Sequence, residues 1–207
     1  MKPIRFAMLV SPKPEREKNS LLIKEQIPEL EIIPADDSKC DLFQTHIDVL
    51  QTNPDEYQGV VMMEDDLKLC RNFRGRFDAV MKEHSCDVVQ FFERALVKHP
   101  LPKGWESGGR FTSTVCYYMP AEFTRILGMK RYIDEFKNDY FPKRHEPWGY
   151  PIDIYIAFVL GKNRMIYWRE FPFIVQHLDF PSMFKGRSTK RQSKFFIDDL
   201  EDKNGAS

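Results

Sequence analysis

Short apolar runs alternate with amphipathic stretches along the first half of the chain, and this alternation constrains the fold more than any other feature. Four apolar runs have the length and composition of strands: 4–10, 30–33, 59–63 and 87–92. Three stretches between them have helical spacing: 15–27, 43–50 and 73–83. A parallel neighbour requires a crossover connection, so strands that alternate with helices form mostly parallel sheets. We therefore expect an α/β fold.

The second half of the chain is less regular. Its pattern predicts a strand at 111–119, helices at 120–127 and 152–160, and closing strands at 165–168 and 173–175. A loop rich in proline and glycine at 99–110 divides the halves, and 138–150 is irregular and aromatic. A length of 207 residues is typical of one domain.

Composition excludes several classes of protein. Lys plus Arg and Asp plus Glu both number 31, so the whole molecule has no field that would recruit nucleic acid or an acidic membrane. Cys40, Cys70, Cys86 and Cys116 are too widely spaced for a Cys-x-x-Cys site and fit free thiols. No run is long enough for a signal peptide or a membrane span. The sequence predicts a soluble cytoplasmic protein.

The third apolar run leads directly into Glu64, Asp65 and Asp66. Adjacent carboxylates repel one another and need solvent, basic side chains or a cation beside them. Alternate residues of a strand share a face, so Glu64 and Asp66 can bind one cation while Asp65 points to a neighbouring amide or basic group. Oxygen ligands favour Mg²⁺ or Mn²⁺. The same residues also fit a solvated strand end or a helix that begins at Asp66.

A divalent cation at the carboxyl end of a strand can hold a diphosphate and stabilise it as a leaving group. Sugar transfer from a nucleotide-sugar uses this chemistry.

Segment VMMEDDL (61–67), followed by Asn72 and Phe73, is similar to the "vlIlEDDv" block of the family-25 glycosyltransferases, which include lipopolysaccharide and collagen galactosyltransferases. Weaker matches occur in the same order along the chain: 4–11 with Arg16, IPADD (33–37), CDLFQTH (40–46), 112–119, 151–153 and 172–182. The 112–119 block lacks the glycine expected at its start.

The resemblance implies a GT-A-like fold, in which a mostly parallel nucleotide-binding sheet flanked by helices carries a smaller acceptor-side region. It implies a single domain with a nucleotide-sugar-binding half (1–110), an acceptor-side half (111–180) and a basic C-terminal segment (181–207). It also implies Mn²⁺ or Mg²⁺ as cofactor and a nucleotide-sugar, best a UDP-sugar, as donor.

The resemblance further assigns roles to single residues. Glu64 and Asp66 match the metal ligands, and His177 is the next candidate, although a lone histidine is also common as a hydrogen-bonded structural residue. On the nucleotide-sugar side the resemblance places Ser11, Arg16, Ala35, Asp36 and Asp65. It implies that Arg16 contacts the nucleotide phosphates and that Asp36 or Asp37 contacts the uracil or ribose. The alternative for Arg16 is an ordinary charge on the face of a helix, and the alternative for Asp36 is a place in a turn.

Asp153 matches a late aspartate of the family and is the candidate catalytic base of an inverting transfer. An acid in the first turn of the 152–160 helix, favoured by the helix dipole, is the alternative.

The acceptor side is open to several interpretations. Six aromatic residues form either a stacking surface or ordinary core: Tyr117, Tyr118, Tyr140, Phe141, Trp148 and Tyr150. Five basic residues within 185–194 fit a diphosphate site, a DNA-binding segment or a solvated tail. A cell-surface glycan precursor or modified phage-type DNA is the expected acceptor. A non-catalytic glycan- or nucleotide-binding module, and a metal-dependent phosphohydrolase or nuclease, are the alternative functions.

Overall fold

The computed structural model describes residues 2–35, 41–92, 103–111, 113–142, 150–178 and 196–198. The strands within these ranges are β1 (Ile4–Val10), β2 (Glu31–Pro34), β3 (Gly59–Glu64), β4 (Leu67–Leu69), β5 (Val89–Gln90), β6 (Gly104–Ser107), β7 (Cys116–Pro120), β8 (Ile166–Arg169) and β9 (Val175–His177). The α-helices are α1 (Pro14–Gln26), α2 (Leu42–Gln51), α3 (Phe73–His84), α4 (Ala121–Leu127), α5 (Lys130–Glu135) and α6 (Ile152–Lys162). A 3₁₀ turn lies at Gly108–Arg110 and a π-helical turn at Phe136–Tyr140.

Seven strands form the central sheet in the order β2-β1-β3-β7-β5-β8-β6. Strands β1, β2 and β3 are parallel neighbours, whereas β7 runs antiparallel to both β3 and β5, and β6 runs antiparallel to β8. Strand β8 is parallel to β5, so five of the seven strands run in one direction. The predicted α/β class with a mostly parallel sheet is confirmed.

Alternation along the strands divides the core between the two faces of the sheet. In β1, Phe6, Met8 and Val10 belong to a hydrophobic cluster that includes the buried faces of α1 and α3. Ala7 and Leu9 point to the opposite face and belong to the cluster of α2, α4, α5 and α6. Successive side chains of a strand point to opposite faces, so a strand covered on both faces is apolar throughout.

The sequence pattern does not predict strand β6 or the pairing of β4 with β9, and the second of these positions the site. Strand β6 lies in the expected 99–110 loop, and its backbone pairs with β8 at the edge of the sheet. Strands β4 and β9 form a separate antiparallel pair, in which Leu67 is opposite His177. Strand β6 and the β4–β9 pair are held by backbone hydrogen bonds between segments far apart in sequence. Local composition gives no signal of such pairing.

Within the described residues, no helix combines the length and the apolar character that a membrane span requires.

Phe77 of α3 is fully buried in the hydrophobic cluster that contains Phe6. Its ring centroid lies 5.1 Å from that of Phe6 and 5.5 Å from that of Phe91. We expect Phe77→Ala to lower the free energy of unfolding by about 3–5 kcal/mol, since it removes a buried aromatic ring and leaves a cavity. Urea unfolding measures the change. Leu21→Ala, on the exposed face of α1, is the control and should cost less than about 0.5 kcal/mol; similar losses for both variants would contradict the packing argument.

Candidate metal centre

Three adjacent parallel strands end at the same edge of the sheet and bring several predicted site residues together. Ser11 follows β1, Ala35 follows β2, and the acidic residues lie at the end of β3 and directly after it. Ala35 donates its backbone N–H to the carbonyl oxygen of Val10 at 2.8 Å, which joins the ends of β1 and β2. Ligands of α/β proteins collect at this carboxyl edge.

The acidic residues form a buried turn between β3 and β4. Asp65 is 4% exposed and Asp66 is 6% exposed, while Glu64 is half-buried. This burial contradicts the alternative of a solvated strand end. The alternative of a helix that begins at Asp66 is also wrong, because β4 follows the turn and α3 begins only at Phe73.

Glu64, Asp66 and His177 converge on one point. Each offers one ligand atom, and these atoms all lie within 4.8 Å of one another. His177 is the last residue of β9, and its pairing with Leu67 of β4 brings the imidazole beside the acidic turn. The backbone N–H of Leu178 donates to the carbonyl oxygen of Asp66 at 2.6 Å and extends this pairing by one residue.

The imidazole of His177 is buried, with 2% of the residue exposed. Its Nε2 lies 3.3 Å from Oδ2 of Asp66, yet within the described part of the chain neither ring nitrogen makes a hydrogen bond. A buried polar group without a hydrogen bond costs free energy, and coordination of a cation by an imidazole nitrogen removes part of that cost. The residues present therefore fit a bound metal ion.

Asp65 points away from this group, as strand geometry predicts. Its Oδ2 accepts a hydrogen bond from the backbone N–H of Ser11 at 2.7 Å, and its Oδ1 accepts one from Nη1 of Arg16. Asp65 thus connects the acidic turn to the loop after β1 and to α1.

Arg16 is buried among carboxylates, with 4% of the residue exposed. Besides Asp65, it binds Oδ2 of Asp66 through Nη2 at 3.1 Å. The pKa of Arg16 is raised: burial acts to lower it, but the charges of Asp66 and Asp65 and their hydrogen bonds outweigh burial. The guanidinium is therefore a permanent positive charge beside the cluster.

Two residues that contact the turn were not predicted. Thr114 donates its hydroxyl to Oε1 of Glu64 at 2.7 Å. Asn19, one turn of α1 after Arg16, donates Nδ2 to the carbonyl oxygens of Asp65 (2.9 Å) and Leu67 (2.8 Å). Neither side chain is distinctive in the sequence, because its role depends on neighbours that only the fold supplies.

Asp153 lies in the first turn of α6, where its Oδ1 accepts a hydrogen bond from the N–H of Ile154 at 2.9 Å. The end of α6 leads into the start of β8, so its first turn lies toward the carboxyl edge of the sheet. Just before it, the ring of Tyr150 packs edge-on against Phe43 of α2, with centroids 5.8 Å apart. The carboxylate is half-buried. Its role as a base stays a prediction.

The candidate acceptor-side residues differ in their surroundings, and some of the predicted residues lie outside the described part of the chain. Tyr117 and Tyr118 are fully buried core residues, whereas Tyr140 is 58% exposed. Outside the described residues lie Asp36, the 185–194 segment and Trp148.

Several solved structures resemble the chain at low similarity. No protein-family model matches the chain, and no curated protein matches it. "A197 from STIV" is 14% identical with a TM-score of 0.44, over 93% of this chain and 92% of that one. Mouse xyloside xylosyltransferase 1 is 10% identical with a TM-score of 0.41, over 77% of this chain and 82% of that one.

Another likeness is a glycosyltransferase involved in the glycosylation of the major capsid of PBCV-1. It is 12% identical with a TM-score of 0.36, over 78% of this chain and 92% of that one. All three TM-scores are below 0.5.

Proposed function

We propose that the chain is a metal-dependent glycosyltransferase of the GT-A type, which moves a sugar from a nucleotide-sugar to a hydroxyl acceptor. The observation that carries the proposal is the convergence of Glu64, Asp66 and the buried imidazole of His177 at the carboxyl edge of the sheet. The sequence resemblance of the acidic turn to the family-25 glycosyltransferases supports the same function.

Glu64, Asp66 and His177 would hold the cation. Two carboxylates with one imidazole suit Mn²⁺ better than Mg²⁺, since nitrogen ligands favour transition metals. When bound, the cation neutralises the diphosphate of the donor and stabilises the charge that grows on it as it leaves. A UDP-sugar is the proposed donor, and Ala35 and Asp36 are its proposed base and ribose contacts.

Asp153 is the proposed base. Its carboxylate takes the proton of the acceptor hydroxyl while the hydroxyl oxygen forms a bond to the anomeric carbon. The bond between that carbon and the diphosphate oxygen breaks, and its electron pair leaves with the nucleoside diphosphate. Attack from the face opposite the leaving group inverts the anomeric configuration. The hydrogen bond from Ile154 holds one carboxylate oxygen and fixes the orientation of the other.

Isothermal titration with UDP, with and without Mn²⁺, tests the proposal directly. We expect the protein to bind Mn²⁺, to bind UDP only when Mn²⁺ is present, and to release UDP slowly from at least one of UDP-glucose, UDP-galactose, UDP-N-acetylglucosamine and UDP-xylose. A protein that binds neither Mn²⁺ nor UDP would contradict the proposal. Glycan binding that is indifferent to Mn²⁺ would favour the non-catalytic module.

A phosphohydrolase or nuclease with two metal ions is less well supported. Such sites need carboxylates that bridge or surround two cations about 3.5–4 Å apart. Among the described residues, the potential ligand group consists of Glu64, Asp66 and His177, which suits one cation. The acceptor, whether a glycan precursor or DNA, stays a prediction, because the basic 185–194 segment lies outside the described residues.

A further inference from the structure

Helix α1 holds the acidic turn through side chains that do not themselves belong to the ligand group. Arg16 binds Asp65 through Nη1 and Asp66 through Nη2, and Asn19 binds two backbone carbonyls of the same turn. Ser11, just before α1, fixes the second oxygen of Asp65. The carboxylate that would bind the cation is thus connected to α1 by a buried guanidinium.

We propose that Arg16 is a positioning residue for the cation, which it serves by orienting Asp66, and that it is not a contact of the nucleotide phosphates. This inference rests on the proposed metal site. The guanidinium is planar, so binding Asp65 at one terminal nitrogen and Asp66 at the other fixes the angle between the two carboxylates. Its charge also offsets the repulsion between these neighbouring carboxylates while the cation is absent.

The geometry disfavours the phosphate contact that sequence resemblance assigns to Arg16. Arginine recognises a phosphate with parallel N–H groups of its fork. In this structure both terminal nitrogens are directed at Asp65 and Asp66, and the side chain is 5% exposed. A phosphate arriving from solvent would have to displace a carboxylate from the guanidinium.

Metal binding in the absence of nucleotide distinguishes the two roles. The affinity for Mn²⁺ alone should be measured by isothermal titration and by the electron paramagnetic resonance of free Mn²⁺. We expect Arg16→Gln to weaken it by about 10–100-fold, the range typical of residues that orient metal ligands. Arg16→Lys keeps the charge but loses the fork, so its affinity should fall between those of Arg16→Gln and the unaltered protein. The affinity for UDP at saturating Mn²⁺ should stay unchanged in both variants.

Arg5 offers a matched control. It is also buried in β1, and its guanidinium donates to Glu31 through Nε (2.9 Å) and Nη2 (2.6 Å) and to the carbonyl oxygen of Val49 through Nη1 (2.7 Å). Neither Glu31 nor Val49 belongs to the acidic turn. Arg5→Lys should reduce thermal stability and leave the Mn²⁺ affinity unchanged. A general loss of packing would instead weaken Mn²⁺ binding in the Arg5 and Arg16 variants alike.

The outcomes separate this inference from the proposed function. If the unaltered protein does not bind Mn²⁺, the proposed function fails and the inference fails with it. If the unaltered protein binds Mn²⁺ and the Arg16 variants bind it equally well, only the role of Arg16 is overturned. Weaker UDP binding at saturating Mn²⁺, with Mn²⁺ affinity intact, would assign Arg16 to the phosphates. Should Arg16→Gln fail to fold, Arg16→Lys decides by the same criteria.

Discussion

Asp66→Asn should abolish metal-dependent nucleotide binding. The substitution replaces an anionic ligand oxygen with a neutral amide at nearly the same volume, beside Glu64 and His177. Hard divalent cations prefer carboxylate oxygens. We expect Mn²⁺ affinity to fall by more than about 100-fold, beyond the range typical of residues that only orient a ligand. Titration with Mn²⁺, followed by UDP, measures both losses, and circular dichroism verifies that the variant is folded.

Asp198→Asn is the control for this substitution. Asp198 is 3% exposed and accepts hydrogen bonds from the backbone N–H of Arg71 at 3.0 and 3.1 Å, so it is a buried aspartate that serves structure. We expect this variant to lose stability and to keep its Mn²⁺ affinity. An Asp66→Asn protein that bound Mn²⁺ as tightly as the Asp198→Asn protein would remove Asp66 from the ligand set.

Asp153→Asn should stop transfer while nucleotide binding persists. The amide oxygen can still accept the hydrogen bond from Ile154, so the start of α6 is preserved, but the amide cannot take a proton. Loss of a general base typically costs about 10²–10⁴-fold in rate. The rate of UDP release from the UDP-sugar that the unaltered protein uses best is the measurement, together with the affinity for UDP and Mn²⁺.

Glu122→Gln controls for the effect of an acid on the helix dipole. Glu122 occupies the first turn of α4 and is exposed, so its loss should cost about 0.3–1 kcal/mol of stability with no change in transfer rate. Full transfer activity in Asp153→Asn would show that Asp153 serves only to stabilise the first turn of α6 through the helix dipole. Loss of UDP binding in that variant would assign it to donor binding instead.

Local pattern is sufficient for most elements in the first half of the fold. The 4–10 strand matches β1, and the predicted helices at 15–27, 43–50 and 73–83 correspond to α1, α2 and α3 within one residue at each end. Helices α2 and α3 bury apolar residues at helical spacing, so the hydrophobic period identifies them. Helix α1 instead buries Arg16, Ser20 and Ile23 and leaves its leucines exposed. The predicted 87–92 strand is reduced to Val89–Gln90, because its extent depends on pairing with β7 and β8.

The candidate site is likewise predicted in part by local sequence and in part only by the pairing of distant segments. Glu64, Asp65 and Asp66 indicate a site from sequence alone, since three carboxylates directly after a buried strand need compensating partners. His177 was recognised only by resemblance, and its place beside Asp66 depends on the β4–β9 pair. That pair involves strands of three residues each, too short for a periodic signal.

By itself, the sequence determined the long buried strands, most of the helices and the place where negative charge collects, because apolar period and charge are properties of neighbouring residues. Only the tertiary structure decided that the imidazole of His177 meets Glu64 and Asp66, and that Arg16 binds carboxylates. Those contacts join segments far apart along the chain. Their geometry is set by strand order and by helix packing, which no single segment encodes.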